Sequence, residues 1–423
     1  MKDILQLNKL LSFILILFCH VVSGQTISEV LVQGNKKTKE RFIRNVSILK
    51  EGAILDSLII ETDLNRLKRL PGISYAYFET EEKVDGTYKV VYGVEENFTI
   101  IPSLAVFTTN DNEFAFRLGL YEFNGLGRNI AFGGFFQRDI FNSYGINFRA
   151  PNLFSRKLGI ALNHQNLTTL EPVFLDSGSA NYKYNNTSYE VLGLYEFNFN
   201  HRIEIGVNYF TEGYNYQDGA TEVNVPQALN VHKLLYKAIY EYNHIDYYYQ
   251  YLEGFKSTFN FQYVTTTDRA LPEFVIGWTD FNYYHRIGEK GNWANRLRLG
   301  IASNDDNPFA PFSVDNNLNI RGVGNTIDRG TGSIVLNTEY RHTFFEKDWF
   351  ALQGNAFVDA GSWRNPGGNL DDFADSSNFR VYPGLGVRFI HKRIFNAIFR
   401  IDYGIGITRD ATSGLVFGIG QYF

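Results

Sequence analysis

From position 98 to its end the chain keeps one pattern, in which apolar and polar residues alternate with a period of two. In "HRIEIGVNY", Ile203, Ile205, Val207 and Tyr209 take one side, and Arg202, Glu204, Gly206 and Asn208 the other. "IFRIDYGIGI" sets Phe399, Ile401, Tyr403, Ile405 and Ile407 against Arg400, Asp402, Gly404 and Gly406, and "RLRLGI" and "GLGVRF" repeat the pattern. Successive side chains of a strand point to opposite faces, so each segment predicts a strand with one apolar and one polar face. Segmentation gives about sixteen strands, with ~9–11 residues needed for each tilted membrane crossing. The polar stretches 168–186, 213–230 and 304–330 are predicted as extracellular loops.

Residues 25–96 have a different texture. "ISEVLVQGN" reads as strand and turn. "TKERFIRNV" predicts a short helix, with Thr38 as N-cap and Phe42, Ile43 and Val46 on one face. "DSLIIETDLNRLKRL" predicts a second helix, since Ile60, Leu64 and Leu67 recur at helical spacing before Pro71-Gly72 stops it. "ISYAYFETEE" and "YKVVYGVEE" alternate as strands around Asp85-Gly86. The predicted order is β-α-α-β-β, one small α/β domain.

Alternation alone leaves two architectures open. In a soluble sandwich the apolar faces meet inside, whereas in a membrane barrel they meet lipid and the polar faces line the lumen. Charges of both signs on the polar faces, and Tyr and Phe near strand ends, favour the barrel. Composition agrees: 37 Phe, 27 Tyr and 38 Gly stand against a single Met. After the first 24 residues no apolar run is long enough for a spanning helix. Those 24 residues predict a secretory signal: Lys2 and Lys9, then "LLSFILILF", then "VVSG" before Gln25. Cys19 lies within that segment and is the only cysteine, so the exported chain has neither disulfides nor thiolate chemistry. A net charge of −5 gives no electrostatic footprint for nucleic acid.

Several motifs resemble those of one family. "GNKKT", "LNRLKRLPGISYAYFE" and "VVYGVEE" resemble a POTRA domain, the periplasmic module of outer-membrane assembly proteins. Downstream, Ile320-Arg321-Gly322 resembles the aliphatic-Arg-Gly-aromatic motif of the BamA/TamA superfamily, with Val323 in the aromatic position. It falls between predicted strands eleven and twelve, where the family's large loop folds back into the lumen. Phe357, Asp359 and Gly361 match the family's Phe-x-Asp-x-Gly strand, and "FNGLGRNI" and "FRAPNLF" add to the resemblance. A final aromatic, Phe423, placed on the outer face with Leu415, Phe417 and Ile419, resembles the C-terminal assembly signal of outer-membrane barrels.

The expected fold is an all-β transmembrane barrel of about sixteen antiparallel strands preceded by one POTRA-like domain. The boundaries are 1–24 signal, 25–96 POTRA-like domain in the periplasm and 97–423 barrel in a Gram-negative outer membrane. An arginine in a narrow lumen needs a carboxylate partner. Polar-face parity offers Asp359 first and Glu339 second, and Gly322 and Gly324 permit a tight loop backbone. Pro102, which lacks an N–H, and Gly418 and Gly420, with little to pack, mark a weak lateral seam between first and last strands.

No G-x-S-x-G or H-E-x-x-H motif occurs, and no cofactor site is expected. The Asp/Asn cluster at 304–307 with Asp315 lacks EF-hand spacing and reads as a solvated loop rather than a calcium site. The resemblance implies a non-enzymatic assembly or translocation factor. Its partners would be unfolded outer-membrane or exported client proteins, the lipid bilayer and candidate accessory lipoproteins. The alternative is a passive porin or a surface adhesin or receptor barrel, for which a periplasmic docking domain has no evident use.

Overall fold

The computed structural model describes residues 25–108, 114–267, 273–303, 311–314, 319–323, 328–409 and 411–423. The signal segment with Cys19, Gly324 and the Asp/Asn cluster of the long loop lie outside these.

The first domain runs β1 (Ile27–Gln33), α1 (Glu40–Val46), α2 (Ser57–Lys68), β2 (Ile73–Glu82) and β3 (Tyr88–Glu96). Its sheet has the order β1-β3-β2, with β1 parallel and β2 antiparallel to β3. Phe42, Ile43 and Val46 of α1 and Ile60 and Leu67 of α2 are buried against the sheet. Asp56 caps α2, accepting from Leu58 N at 2.8 Å. Thr38 does not cap α1: the N-cap is Lys39, with no side-chain bond. Thr38 is buried, and its hydroxyl accepts instead from Asn124 Nδ2 of the second domain at 2.9 Å.

The second domain is a sheet of sixteen strands, each antiparallel to its neighbours. These are β4 (Ile100–Thr108), β5 (Phe114–Gly125), β6 (Ile130–Arg138), β7 (Asn142–Ala150), β8 (Leu158–Leu175) and β9 (Gly178–Asn198). Next come β10 (His201–Gly219), β11 (Ala228–Tyr248), β12 (Tyr251–Thr266), β13 (Phe274–Ile287) and β14 (Gly291–Ala302). A connection bearing the small pair β15 (Phe312–Val314) and β16 (Asp328–Gly330) follows. The wall then resumes with β17 (Gly332–Glu346), β18 (Phe350–Arg364), β19 (Phe379–His391), β20 (Ile398–Ile405) and β21 (Ser413–Ile419). The sheet curls into a nearly closed barrel whose free edges are β4 and β21.

Which face is buried decides the solvent. In β20, Phe399, Ile401, Tyr403 and Ile405 are exposed, while Arg400 and Asp402 are buried. In β9, Tyr189, Val191 and Tyr195 point out, while Glu190 and Glu196 are buried. A water-soluble sandwich would do the reverse. An apolar exterior around a charged interior is the arrangement that lipid demands. Inside, the charges are paired: Arg149 with Glu204, Lys237 with Glu190, Lys256 with Glu241 and Arg298 with Asp280. The chain is an outer-membrane β-barrel with its first domain on the periplasmic side.

Two stretches expected as loops are strand. Residues 168–175 and 178–186 continue β8 and β9 up to a turn at Asp176-Ser177, and 213–219 continue β10. Thr and Tyr in these segments favour pleated structure, and their polarity reflects protrusion from the bilayer. β9 and β11 each have 21 residues, about twice what a crossing needs.

Candidate functional site

The segment Asn319–Val323 lies in the connection between β14 and β17 and enters the barrel against β17, β18, β19 and β20. Arg321 is completely buried. Its guanidinium forks onto Asp359 of β18, Nε to Oδ2 at 2.8 Å and Nη2 to Oδ1 at 2.9 Å, and its backbone N donates to the same carboxylate at 2.9 Å. Its remaining Nη1 donates to Glu339 of β17. Both acids considered from parity are therefore engaged at once, through the two-sided donor geometry that distinguishes Arg from Lys.

The site is larger than a single arginine and its acids. Asp402 of β20 lies 3.7 Å from Arg321 Nη1 and accepts from Arg388 Nη1 of β19 at 2.8 Å. Arg341 donates to Glu339, and Arg400 stands 3.5 Å from Asp402. Asn355 Nδ2 bridges Glu339 and Asp402, at 3.3 Å from each. Aromatic faces supply further negative potential: Arg321 Cζ lies 3.7 Å from the Phe357 ring centroid and 4.6 Å from that of Tyr422. The sequence reading missed Asp402, Arg388 and Tyr422. The first two stood in alternating segments already recognised, and strand adjacency was the missing information.

The residues flanking Arg321 are fitted as closely. Gly322 has φ +97. A Cβ there would lie 2.7 Å from Gly404 Cα. Ile320 and Val323 are buried in an apolar cluster with Val335, Trp363 and Tyr382. Val323 thus occupies an inner pocket, and Thr412 Oγ1 donates to its carbonyl at 2.8 Å. The Phe-x-Asp-x-Gly strand meets the loop residue by residue. Phe357 lies under the guanidinium and Asp359 grips it, while Gly361 leaves room for Ile320, whose Cδ1 would be 2.6 Å from a Cβ there. Beyond the motif, Arg329 of the same connection reaches Glu171 of β8 on the far wall, at 3.1 Å. Arg329 thus ties the described end of the connection to β8.

At the seam, Pro102 is the third residue of β4 and faces outward. It is paired with Leu120 on the β5 side. No ladder joins β4 to β21 among the described residues. The periplasmic foot of the seam is bridged instead by Phe98, whose N donates to Arg393 O and whose O accepts from Phe395 N, both at 3.0 Å. Gly418 has a packing partner after all, since a Cβ on it would lie 2.5 Å from Arg400 Nη2. Gly420, at φ +88, ends the alternation. Phe423 consequently does not share the outer face of Leu415 and Phe417. It packs inside against Ile245, Tyr284 and Ala294, with Arg296 and Arg341 at 5.4 and 5.6 Å from its ring centroid.

The first domain is docked beneath the barrel. Arg66 pairs with Glu196 at 2.7 Å, both nearly buried. Arg69 donates to the carbonyls of Phe199 and Ile245, with its guanidinium carbon 3.8 Å from the Phe199 ring centroid. Tyr75 stacks on Tyr249 at 5.6 Å. Lys37 pairs with Glu122 at 2.6 Å, and Lys39 N donates to Gly127 O at 3.0 Å. These contacts reach three separate periplasmic turns, between β5 and β6, β9 and β10, and β11 and β12.

Residues 25–97 match the family described as "POTRA: Surface antigen variable number repeat". Similar solved structures include BamA from Haemophilus ducreyi lacking POTRA domains 1–3, at 14% identity and a TM-score of 0.55, covering 93% of this chain and 83% of that one. CdiB from Acinetobacter baumannii is 14% identical with a TM-score of 0.58, covering 93% and 74%. CdiB from Escherichia coli is 12% identical with a TM-score of 0.59, covering 93% and 75%. No curated protein matches the chain. The chain therefore joins a POTRA domain to a barrel with the fold of BamA and CdiB.

Proposed function

We propose that this POTRA-bearing, BamA-like barrel inserts or exports β-rich client polypeptides at the outer membrane. It would do so without nucleotide or cofactor, by opening the seam between β4 and β21. The observation that carries this reading is the seam itself, since the sheet runs through sixteen strands and, among the described residues, leaves its two edges without a ladder. Unpaired strand edges are templates for another strand.

Strand length supports the same place. β21 has 7 residues and β20 has 8. At about 3.4 Å per residue and a tilt of about 40°, seven residues span roughly 18 Å, short of the ~25 Å apolar band of such barrels. A wall this short on the β20–β21 side favours local thinning of the bilayer, which would lower the barrier to an incoming strand. The exposed edge of β2 in the POTRA sheet offers a first docking site by β-augmentation. A passive pore fits poorly: the Arg321 segment enters the barrel and the POTRA domain lies beneath it.

The test uses the full chain in lipid vesicles with an unfolded outer-membrane barrel as client. Cysteines at facing positions of β4 and β21 should leave the barrel folded and block client insertion when oxidised. Full activity with the disulfide verified would exclude the seam as the route. Absence of insertion or export for every β-rich client tried would refute the assembly reading as a whole.

A further inference from the structure

A cavity of about 350 Å³ lies between α1 and the periplasmic turns joining β5 to β6 and β7 to β8. Lys39, Arg41, Arg128 and Arg156 line it, and no Asp or Glu does. Lys39, Arg41 and Arg128 are exposed and Arg156 is half-buried, whereas several lumenal cations have carboxylate partners, as with Arg149, Lys237 and Arg298. These four have no ion pair among the described residues. A concave site with four cations and no anion raises the local potential for an anionic ligand.

The cavity's position identifies the ligand. Ile130 lines it and also begins the outward row of β6 that continues through the exposed Phe132 and Phe136. The cavity therefore opens onto the lipid-facing wall at the periplasmic end of the strands. The two turns also carry apolar side chains that no protein surface covers. Leu126 is 72% exposed, and Phe154, which lines the cavity, is 63% exposed. Leu126 is held at φ +56, a left-handed conformation that costs a non-glycine residue energy. Water gives no reason to hold a leucine outward in that way, whereas the acyl-chain boundary of a leaflet does.

We propose that this cavity binds the phosphodiester headgroup of a glycerophospholipid from the periplasmic leaflet. The four cations meet the phosphate, and the acyl chains lie along Ile130, Phe132 and Phe154. Arg128 and Arg156 come from barrel turns, and Lys39 and Arg41 from the POTRA domain. The lipid therefore ties α1 to the membrane at the feet of β6 and β8. This goes beyond the assembly reading and does not depend on it.

The test is native mass spectrometry of the intact detergent-solubilised protein titrated with dioleoylphosphatidylglycerol. The wild type should retain one lipid per chain. Replacing Arg41→Gln, Arg128→Gln and Arg156→Gln together should weaken retention by at least about tenfold. The control variant Lys83→Gln, Lys89→Gln and Arg44→Gln, whose residues do not line the cavity, should change nothing. Heat-modifiability verifies that each variant is folded, and the charge-retaining Arg128→Lys with Arg156→Lys should keep most of the binding. Dioleoylglycerol, which lacks the phosphate, should not be retained. Equal retention by the triple variant and the wild type would overturn the proposal. So would displacement of the lipid by millimolar inorganic phosphate, which would identify a free-phosphate site instead.

Discussion

Gly322 and Gly404 abut backbone to backbone: a Cβ on the first would lie 2.7 Å from the second's Cα, and one on the second 2.3 Å from Arg321 O. The loop bearing Arg321 can reach its carboxylates only because neither residue at this crossing has a side chain. Gly404→Ala should therefore dislodge the loop while the β19–β20 ladder persists, because the alanine methyl meets the loop's own backbone at Arg321 and Gly322 rather than a side chain that could rotate away. Gly322→Ala adds backbone strain of about 1–3 kcal/mol from its positive φ. Limited proteolysis between β14 and β17 should show both variants cut faster than wild type. Unchanged cleavage in Gly404→Ala would mean the loop is held without this contact.

Arg321→Ala leaves Asp359 and part of Glu339 buried without their strongest donor. Removing one member of a deeply buried charge pair costs about 3–5 kcal/mol, less where water enters the lumen. The loop should loosen while the barrel stays closed, since wall hydrogen bonds do not depend on it. Double-mutant cycles with Asp359→Ala and with Glu339→Ala should both show coupling, larger for Asp359, which accepts two side-chain bonds from the guanidinium. Additivity in both cycles would contradict the observed geometry.

Glu196 faces Arg66 at 2.7 Å and Arg202 at 3.8 Å. Loss of Arg66 leaves the acid one partner, whereas loss of Glu196 leaves two cations uncompensated. Glu196→Ala should thus release the POTRA domain more than Arg66→Ala does, by about 1 kcal/mol or less, because Arg202 is partly exposed and meets the acid at 3.8 Å without a hydrogen bond. Crosslinking between α2 and the β9–β10 turn measures it. Equal effects would show that Arg202 contributes nothing.

Glu96 accepts from Lys37 N at 2.8 Å and Thr38 N at 2.6 Å, holding the segment that docks onto Glu122 and Asn124. Burial pushes its carboxyl up, but the backbone donors outweigh burial and hold it below the ordinary carboxylate value of 4.5. A lowered folded pKa stabilises the charged form. Its contribution is therefore complete above about pH 4.5 and is lost as pH falls through the depressed value. POTRA docking, followed by crosslinking, should weaken in that acid window, and the corresponding step should vanish in Glu96→Gln. An identical acid profile in Glu96→Gln would remove this residue from the account.

Alternation alone made the strands and their two faces legible, because a pleated strand has no other way to place an apolar row, and the charges and aromatics along the strands favoured the apolar row facing outward. It also brought Glu339 and Asp359 to the lumen side, since parity depends only on counting along one strand. The helices of the first domain were readable for the same reason, from spacing that one face must bury. Strand neighbours and chain reversals were beyond that reach. Asp402 joins the Arg321 site because β19 places β20 within reach, a fact carried by register rather than by any local motif. Phe423 turns inward because Gly420 adopts a left-handed φ, which its sequence permits without requiring. Thr38 has the composition of a helix cap but bonds to Asn124 of the barrel, since only the docked domains bring that amide to it. Periodicity is a property of one strand in one solvent, and the chain specifies it locally. Pairings between segments far apart in sequence exist only once the sheet has curled and the POTRA domain has seated beneath it.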